Sequence, residues 1–304
     1  MHKPVLLHEV VRGLNLKRGS VVVDGTLGLG GHAREIIKHI LPNGLLIGID
    51  QDPRNLKKAK ENLKEFSKNI KFVQGNFSKL SEILKNLGIE KVDAILLDLG
   101  LSSPHIDEAD RGFSYIEDGP LDMRMNPESS VTAAEIVNTY KERELANLIY
   151  KYGEEKHSRK IANIIVKERE RKKFTTTREL ATVLEREIKN KHKHPALLTF
   201  QALRIAVNDE LDVLISVLKE SVELLSSGGC LAVISYHSLE DRIVKQFIRE
   251  QARVCICPKE LPLCSCNNKP KFKIITKKPI VPSEEEVKSN NRSRSAKLRI
   301  AERI

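Results

Sequence analysis

The fold is decided by one stretch of the chain, Val21-Val22-Val23-Asp24-Gly25-Thr26-Leu27-Gly28-Leu29-Gly30-Gly31-His32. Its β-branched run predicts a buried parallel strand, its glycines predict a tight turn, and the residues after His32 open a helix. The next apolar run, Leu45–Ile49, ends in Asp50. Glycine lets a backbone approach a ligand closely, and a carboxylate in this place can accept from both hydroxyls of a ribose. We therefore predict an α/β domain with a nucleoside-cofactor site at Gly28, Gly30, Gly31, His32 and Asp50.

The turn favours a cationic cofactor over a dinucleotide. Its glycines do not form a clean G-x-G-x-x-G pattern, and Asp24 would repel a pyrophosphate. S-adenosylmethionine carries a sulfonium and an ammonium group, which a carboxylate attracts. Two alternatives stay open: a tight turn that holds no ligand, and Asp50 acting as a helix N-cap ahead of Asp52-Pro53.

Two further strands are predicted to end in polar residues. Residues 70–77 end in Asn76 and Phe77, which could flank an adenine, and residues 92–98 end in Asp98. Ligands of open α/β sheets bind outside the carboxyl ends of the strands, so we expect Asp24, Asp50, Asn76 and Asp98 to converge there.

Composition limits the function classes. The chain has 304 residues, 40% of them hydrophobic, and no run approaches the roughly 18 apolar residues of a membrane span. The first residues lack the apolar stretch of a signal peptide, so a cytoplasmic location is expected. Eleven Lys/Arg against four Glu between Asn267 and Ile304 supply +7 of the net charge of +11. This basic segment suits a polyanion such as RNA, although a solvated surface would have the same composition.

Four of the five cysteines form two Cys-x-Cys pairs, Cys255/Cys257 and Cys264/Cys266. A tetrathiolate zinc site is conceivable, but zinc knuckles usually have Cys-x-x-Cys spacing, so no metal is predicted.

The alternation of strands and helices stops near Gly100 and resumes near Glu210. Between them, two capping boxes (Thr132-x-x-Glu135 and Thr176-x-x-Glu179) precede helical apolar patterns. A fifth strand is expected from Cys230, with closing edge strands at 272–276 and 297–301. The predicted domains are 1–107 and 208–304, which form one α/β domain, and 108–207, an inserted helical domain for substrate recognition.

The chain resembles the bacterial 16S rRNA cytosine-N4 methyltransferases over nearly its whole length. The resemblance rests on several long motifs in one order: residues 24–32, 97–104, 111–114, 119–125, 152–155, 199–205, 237–242 and 298–303. It implies a Rossmann-like class I methyltransferase sheet with an inserted all-α helical domain. It also implies that the protein uses S-adenosylmethionine to methylate one cytosine in the decoding region of small-subunit rRNA. By this likeness Gly30, Gly31, His32, Asp50, Phe77, Asp98 and His105 line the cofactor site, although many relatives have Gln where this chain has His105.

The exocyclic amine of cytosine is a poor nucleophile because its lone pair is delocalised into the ring. Amino-methyltransferases hold its N–H groups with an Asp/Asn/Ser-Pro-Pro-aromatic turn, which Ser102-Ser103-Pro104-His105 resembles, with one proline and no aromatic ring. We therefore predict Asp98, Ser102, Ser103 and Pro104 as catalytic residues, while an ordinary turn is the alternative. In-line positioning should supply most of the rate, and no general base is assigned. Phe113, Tyr115 and Tyr236 are available to stack on a flipped base.

Three other functions stay open at this point: an oxidoreductase on the same fold, a ribosome-assembly factor without catalysis, and an amino-methyltransferase acting on DNA or a small molecule. The sequence leaves the oligomeric state open.

Overall fold

A computed structural model describes residues 4–188, 194–258 and 265–304. The chain divides into two compact units, Met1–Gly100 with Leu211–Ile304, and Leu101–Glu210. The sequence-based domain limits, after residues 107 and 207, lie a few residues from these divisions.

The helices and strands are, in chain order, α1 (Leu7–Gly13), β1 (Val21–Asp24), α2 (Gly31–Ile40), β2 (Leu45–Asp50), α3 (Pro53–Asn62), β3 (Ile70–Gln74), α4 (Leu80–Asn86), β4 (Val92–Asp98), α5 (Ser103–Asp107), α6 (Ala133–Thr139), α7 (Glu142–Gly153), α8 (Ser158–Arg171), α9 (Thr177–Glu187), α10 (Leu197–Asn208), α11 (Glu210–Leu224), β5 (Leu225–Ser235), α12 (Ser238–Gln251), β6 (Phe272–Ile274), α13 (Glu284–Ser289) and β7 (Lys297–Arg303). None of the helices in the described ranges is long and apolar enough to cross a membrane.

The strands of the first unit form one sheet in the order β3-β2-β1-β4-β5-β7-β6. Neighbours from β3 to β5 are parallel, whereas β7 is antiparallel to both β5 and β6. The predicted edge position is therefore correct for Phe272–Ile274. It is wrong for the last strand, because β7 lies inside the sheet with its Leu298, Arg299 and Ile300 buried.

Both faces of the parallel strands are covered, as their continuous apolar runs predict. Successive side chains of a strand point to opposite faces, and Val22 and Val23 accordingly belong to different hydrophobic clusters. One cluster includes apolar side chains of α1, α2 and α3, and the other includes those of α4, α11 and α12. This doubly wound α/β arrangement agrees with the predicted Rossmann-like sheet and brings the carboxyl ends of β1, β2 and β4 together.

The structure excludes one of the open alternatives for the first unit and corrects one prediction. The N-cap of α3 is Asp52, whose side chain accepts from the Arg54 N–H at 2.9 Å, so Asp50 is free of that role. The fifth strand begins at Leu225 rather than Cys230, although its pairing register with β4 shifts between these two residues, a stretch that contains Gly228 at φ +81°.

The second unit is built from helices α5 to α10 around its own apolar core. Both predicted capping residues are confirmed: Thr132 Oγ1 accepts from the Glu135 N–H, and Thr176 Oγ1 accepts from the Glu179 N–H. The Glu179 carboxylate in turn accepts from the Thr176 N–H. A hydrogen bond from Lys172 is the main reason that the pKa of Glu179 falls to about 2.

Candidate functional site

Three carboxylates end three adjacent parallel strands of the first unit. Asp24, Asp50 and Asp98 are the last residues of β1, β2 and β4. Asp24 is level with Gly48 on one side and Leu96 on the other, so Asp50 and Asp98 each lie two residues further along. The predicted convergence of these three residues is therefore present in the structure.

Asp50 holds the glycine turn against the end of β2. Its Oδ2 accepts from the Gly28 N–H at 2.8 Å and its Oδ1 from the Asp52 N–H at 2.8 Å, while Asn55 Nδ2 lies 3.3–3.4 Å from both oxygens. The side chain is only 9% exposed. These donors fix the carboxylate in one orientation at the end of β2.

Asp24 lies deeper in the same region and is 2% exposed. Burial raises its pKa to about 7, against the lowering effect of a hydrogen bond from the Thr26 N–H, and the negative charges of Asp98 and Asp50 raise it further. A carboxylate in such surroundings is stabilised by a nearby cation. The electrostatics at this edge of the sheet therefore favour a positively charged ligand over a pyrophosphate.

Asp98 is held by side chains from three other segments. Tyr236 Oη donates to Asp98 Oδ1 at 2.8 Å, and the Asp98 N–H donates to Thr26 Oγ1 at 2.7 Å. His32 Nδ1 lies 3.7 Å from Asp98 Oδ2. His32 Nε2 lies 3.0 Å from the Val5 carbonyl. Burial, with Asp98 next, raises the pKa of Tyr236 far above its usual value, so the phenol keeps its proton and remains a donor.

The glycines of the turn have different roles. Gly28 (φ +53°) and Gly30 (φ +84°) occupy the left-handed region that favours glycine. A Cβ on Gly30 would lie 2.7 Å from Leu63, and one on Gly31 would lie 2.6 Å from Pro4. At Gly28 the nearest heavy atom would be the Thr26 carbonyl oxygen at 3.9 Å. Gly30 and Gly31 therefore allow close packing, whereas Gly28 keeps open space beside the turn.

The predicted end of the third strand is wrong: β3 ends at Gln74, and Asn76 and Phe77 lie just after it. Asn76 Oδ1 accepts from the Ser78 N–H at 2.9 Å, and its Nδ2 donates to Gln51 Oε1 at 3.1 Å. Asn76 therefore positions Gln51, the neighbour of Asp50. Phe77 is half-buried, and a Cβ added to Gly25 would lie 3.4 Å from the Cβ of Phe77. A contact of Phe77 with adenine stays a prediction.

Ser102, Ser103, Pro104 and His105 belong to the second unit. Ser102 is extended, its carbonyl accepts from the His105 N–H at 3.0 Å, and Pro104 lies in the first turn of α5. His105 is 4% exposed, with its ring centroid 5.0 Å from that of Phe113. The side chain of Ser103 lies outside the described residues. The catalytic role of Ser102, Ser103 and Pro104 stays a prediction, as does the cofactor contact of His105.

Nearby in the second unit, the segment 111–127 is fixed by arginines. Arg124 pairs with Asp122 through two hydrogen bonds of 2.7–2.8 Å, and buried Arg111 donates to the carbonyls of Arg124 and Met125. Burial alone would raise the pKa of Asp122, but the bonds and charge of Arg124 outweigh it and hold that pKa below its usual value. The internal pairing of Asp122 with Arg124 is therefore present.

Sequence reasoning missed three residues of this arrangement. Thr26 accepts from the backbone of Asp98, Asn55 donates to Asp50, and Gln51 pairs with Asn76. Only Thr26 carried a signal, since it lies inside the glycine-rich turn. Tyr236 was considered only for base stacking, whereas its hydroxyl binds Asp98.

Comparison with known proteins gives consistent results. The model of the MraW methylase family matches residues 1–304. The curated ribosomal RNA small subunit methyltransferase H of Finegoldia magna is 50% identical over 308 residues, covering 100% of this chain and 98% of that protein. The protein of the same name from Clostridioides difficile is 48% identical over 307 residues, covering 100% and 99%. Among solved structures, an rRNA methylase from Streptococcus thermophilus has 12% identity and a TM-score of 0.45, covering 100% of this chain and 99% of that one.

Proposed function

The chain belongs to the MraW methylase family, and from that premise we propose that it methylates N4 of one cytosine in the decoding region of 16S rRNA. S-adenosylmethionine is its methyl donor. The observation that carries the proposal is the set of carboxylates Asp24, Asp50 and Asp98 around the turn of Gly28. The relatives named small-subunit rRNA methyltransferases, about half identical over the whole chain, support the choice of substrate.

The residues of the first unit fit this donor. When bound, S-adenosylmethionine supplies a methyl group made electrophilic by its sulfonium. Asp50, already oriented by Gly28, Asp52 and Asn55, would accept from the ribose hydroxyls. Asp24 and Asp98 would face the positive charges of the ligand. The raised pKa of Asp24 shows that its ionised form is poorly stabilised in the chain alone, so a nearby cation would stabilise it. The open space beside Gly28 leaves room for the backbone turn to approach the ligand.

The amine of cytosine must be held by acceptors so that its nitrogen can pyramidalise. We assign this work to Ser102, Ser103 and Pro104, which follow Asp98 in the chain and offer hydroxyl and carbonyl oxygens. Asp98 is oriented at the end of β4 by Tyr236 and Thr26. Tyr236 does not serve as a base, because its phenol stays protonated. Positioning of amine and methyl group supplies most of the rate.

An oxidoreductase is disfavoured by the buried Asp24 in the turn, since a pyrophosphate would be repelled there. An assembly factor without catalysis would have the same fold and the same cofactor site, so it is separated from an enzyme by experiment.

The test is transfer of labelled methyl from S-adenosylmethionine by the purified protein, with small ribosomal subunits, naked 16S rRNA and DNA as separate substrates. We expect label in rRNA, in subunits or in naked RNA, and none in DNA. Label in DNA would contradict the substrate class. Intact binding of S-adenosylmethionine with no transfer to any of the three would contradict the enzyme and favour the assembly factor.

A further inference from the structure

Three cysteine thiols meet in the connection between α12 and β6 of the first unit. The Sγ atoms of Cys255, Cys257 and Cys266 all lie within 4.8 Å of one another, and those of Cys255 and Cys266 are 3.9 Å apart. None of these three cysteines is joined in a disulfide. Cys264, the remaining member of the two Cys-x-Cys pairs, lies outside the described residues. This thiol cluster is separate from the carboxylates at the ends of β1, β2 and β4.

The spacing of the thiols matches a single tetrahedral metal ion. Zinc binds thiolate sulfur at about 2.3 Å, and two ligands of a tetrahedron at that distance are about 3.8 Å apart. The 3.9 Å between Cys255 and Cys266 agrees with this edge. A disulfide needs the two sulfurs at about 2.05 Å. Cys255 and Cys266 are therefore not a bridged pair, and the three thiols lie close enough together to bind one ion.

The two arms that carry the thiols are also joined by hydrogen bonds of their own. The Lys271 N–H donates to the Gln251 carbonyl at 2.8 Å, and Asn268 Nδ2 donates to the Arg253 carbonyl at 2.6 Å. Closer to the thiols, the Ile256 N–H donates to Cys266 Sγ at 3.4 Å. Backbone donors to sulfur stabilise a thiolate over a thiol, which suits a metal ligand. The backbone thus brings the cysteines together and orients a donor toward one of them.

We propose that Cys255, Cys257 and Cys266 bind one zinc ion in a structural site. Three thiolates leave one position of the tetrahedron for a further ligand. Thiolates select soft or borderline cations, so zinc is favoured over magnesium or calcium. The ion fixes the connection between α12 and the edge strand β6, and it is independent of the methyl-transfer proposal. The Cys-x-Cys spacing argued against a zinc knuckle, but the three-dimensional arrangement of the sulfurs decides coordination.

The metal content of the full-length protein tests this proposal. The protein is purified under reducing conditions without a polyhistidine tag, dialysed, and analysed for zinc and iron by mass spectrometry. We expect about one zinc per chain. The variant C255S/C257S/C266S should lose at least about nine-tenths of it. The matched control C230S removes a buried thiol on β5, whose pKa burial raises to about 11, and should keep its zinc.

A second measurement keeps the test independent of the folding of the triple variant. Wild-type protein freed of zinc is loaded with Co²⁺ alone, and its absorption spectrum is recorded. We expect thiolate-to-cobalt charge-transfer bands and the intense visible bands of tetrahedral cobalt. The proposal is overturned by wild-type protein that holds no stoichiometric zinc, by iron in its place, by zinc retained in the triple variant, or by a weak octahedral cobalt spectrum.

Discussion

At the residue scale, Asp24 links pH to both stability and ligand binding. Its pKa is about 7 in the folded chain against an ordinary value of 3.8. Between these two values the folded state binds a proton that the unfolded state does not. The stability that this proton contributes is therefore fully present below pH 3.8 and is lost as the pH rises through about 7.

The variant D24N tests this balance. Asn cannot ionise, so at pH 8 we expect a free energy of unfolding higher than wild type by up to about 4 kcal/mol. The gain should shrink as the pH approaches 4. The same variant should bind S-adenosylmethionine at least about tenfold more weakly at pH 8, because it lacks the charge opposite the ligand's cations. Urea denaturation and calorimetric titration at several pH values measure both effects. Unchanged affinity at pH 8 would contradict the role of Asp24 in binding.

Asp50 and Asp93 offer a matched pair of carboxylates. Each accepts from a backbone N–H at 2.8 Å: Asp50 from Gly28 at the carboxyl end of the sheet, Asp93 from Val21 at the amino end. We expect D93N to lower the free energy of unfolding by about 1 kcal/mol, and D50N by more, because Asp50 also accepts from the Asp52 N–H and from Asn55 Nδ2. Only D50N should weaken binding of S-adenosylmethionine, by about tenfold or more, because we propose a ribose contact for Asp50 alone. Equal losses of affinity in both variants, measured by calorimetry, would refute this assignment.

At the scale of elements, we propose that the loop between β1 and α2 approaches the ligand. Gly28 and Gly19 both have positive φ and open surroundings, with φ of +53° and +85°. Alanine at either position should cost about 1–2 kcal/mol of folding free energy through backbone strain. We expect G28A to weaken binding of S-adenosylmethionine while G19A leaves it unchanged, as measured by calorimetry on the folded proteins. A G28A variant that binds as tightly as G19A would show that the ligand does not approach this turn.

The strands could be predicted because apolar runs and their polar last residues are local signals. Asp24, Asp50 and Asp98 were assigned from such signals, and the sheet brings them together. The place of β7 between β5 and β6 could not be predicted, because strand order depends on pairing between residues far apart in the chain. The bond from Tyr236 to Asp98 joins residues 138 positions apart and left no local pattern for the same reason.

At the scale of the whole molecule, the charge of the last segment is partly structural. Buried Arg299 pairs with Asp241 at 2.6 and 3.1 Å, and Arg303 donates to the Val222 carbonyl at 2.8 Å. The cations of this segment that are exposed to solvent include Lys269, Lys277, Lys278, Lys288 and Arg294. The exposed side chains are therefore the candidates for binding RNA in this segment. Composition alone does not show that Arg299 and Arg303 are instead bonded within the fold.

The proposed methylation of N4 of one cytosine in 16S rRNA is tested most directly by identifying the methylated nucleoside. Small subunits from cells that lack this activity are incubated with the protein and S-adenosylmethionine, with a parallel sample without protein. Their 16S rRNA is then analysed by nucleoside mass spectrometry and by mapping of nuclease fragments. We expect N4-methylcytidine at one position in the decoding region, present only with the protein. A methyl group on carbon 5, on a ribose hydroxyl, on another base or outside the decoding region would contradict it.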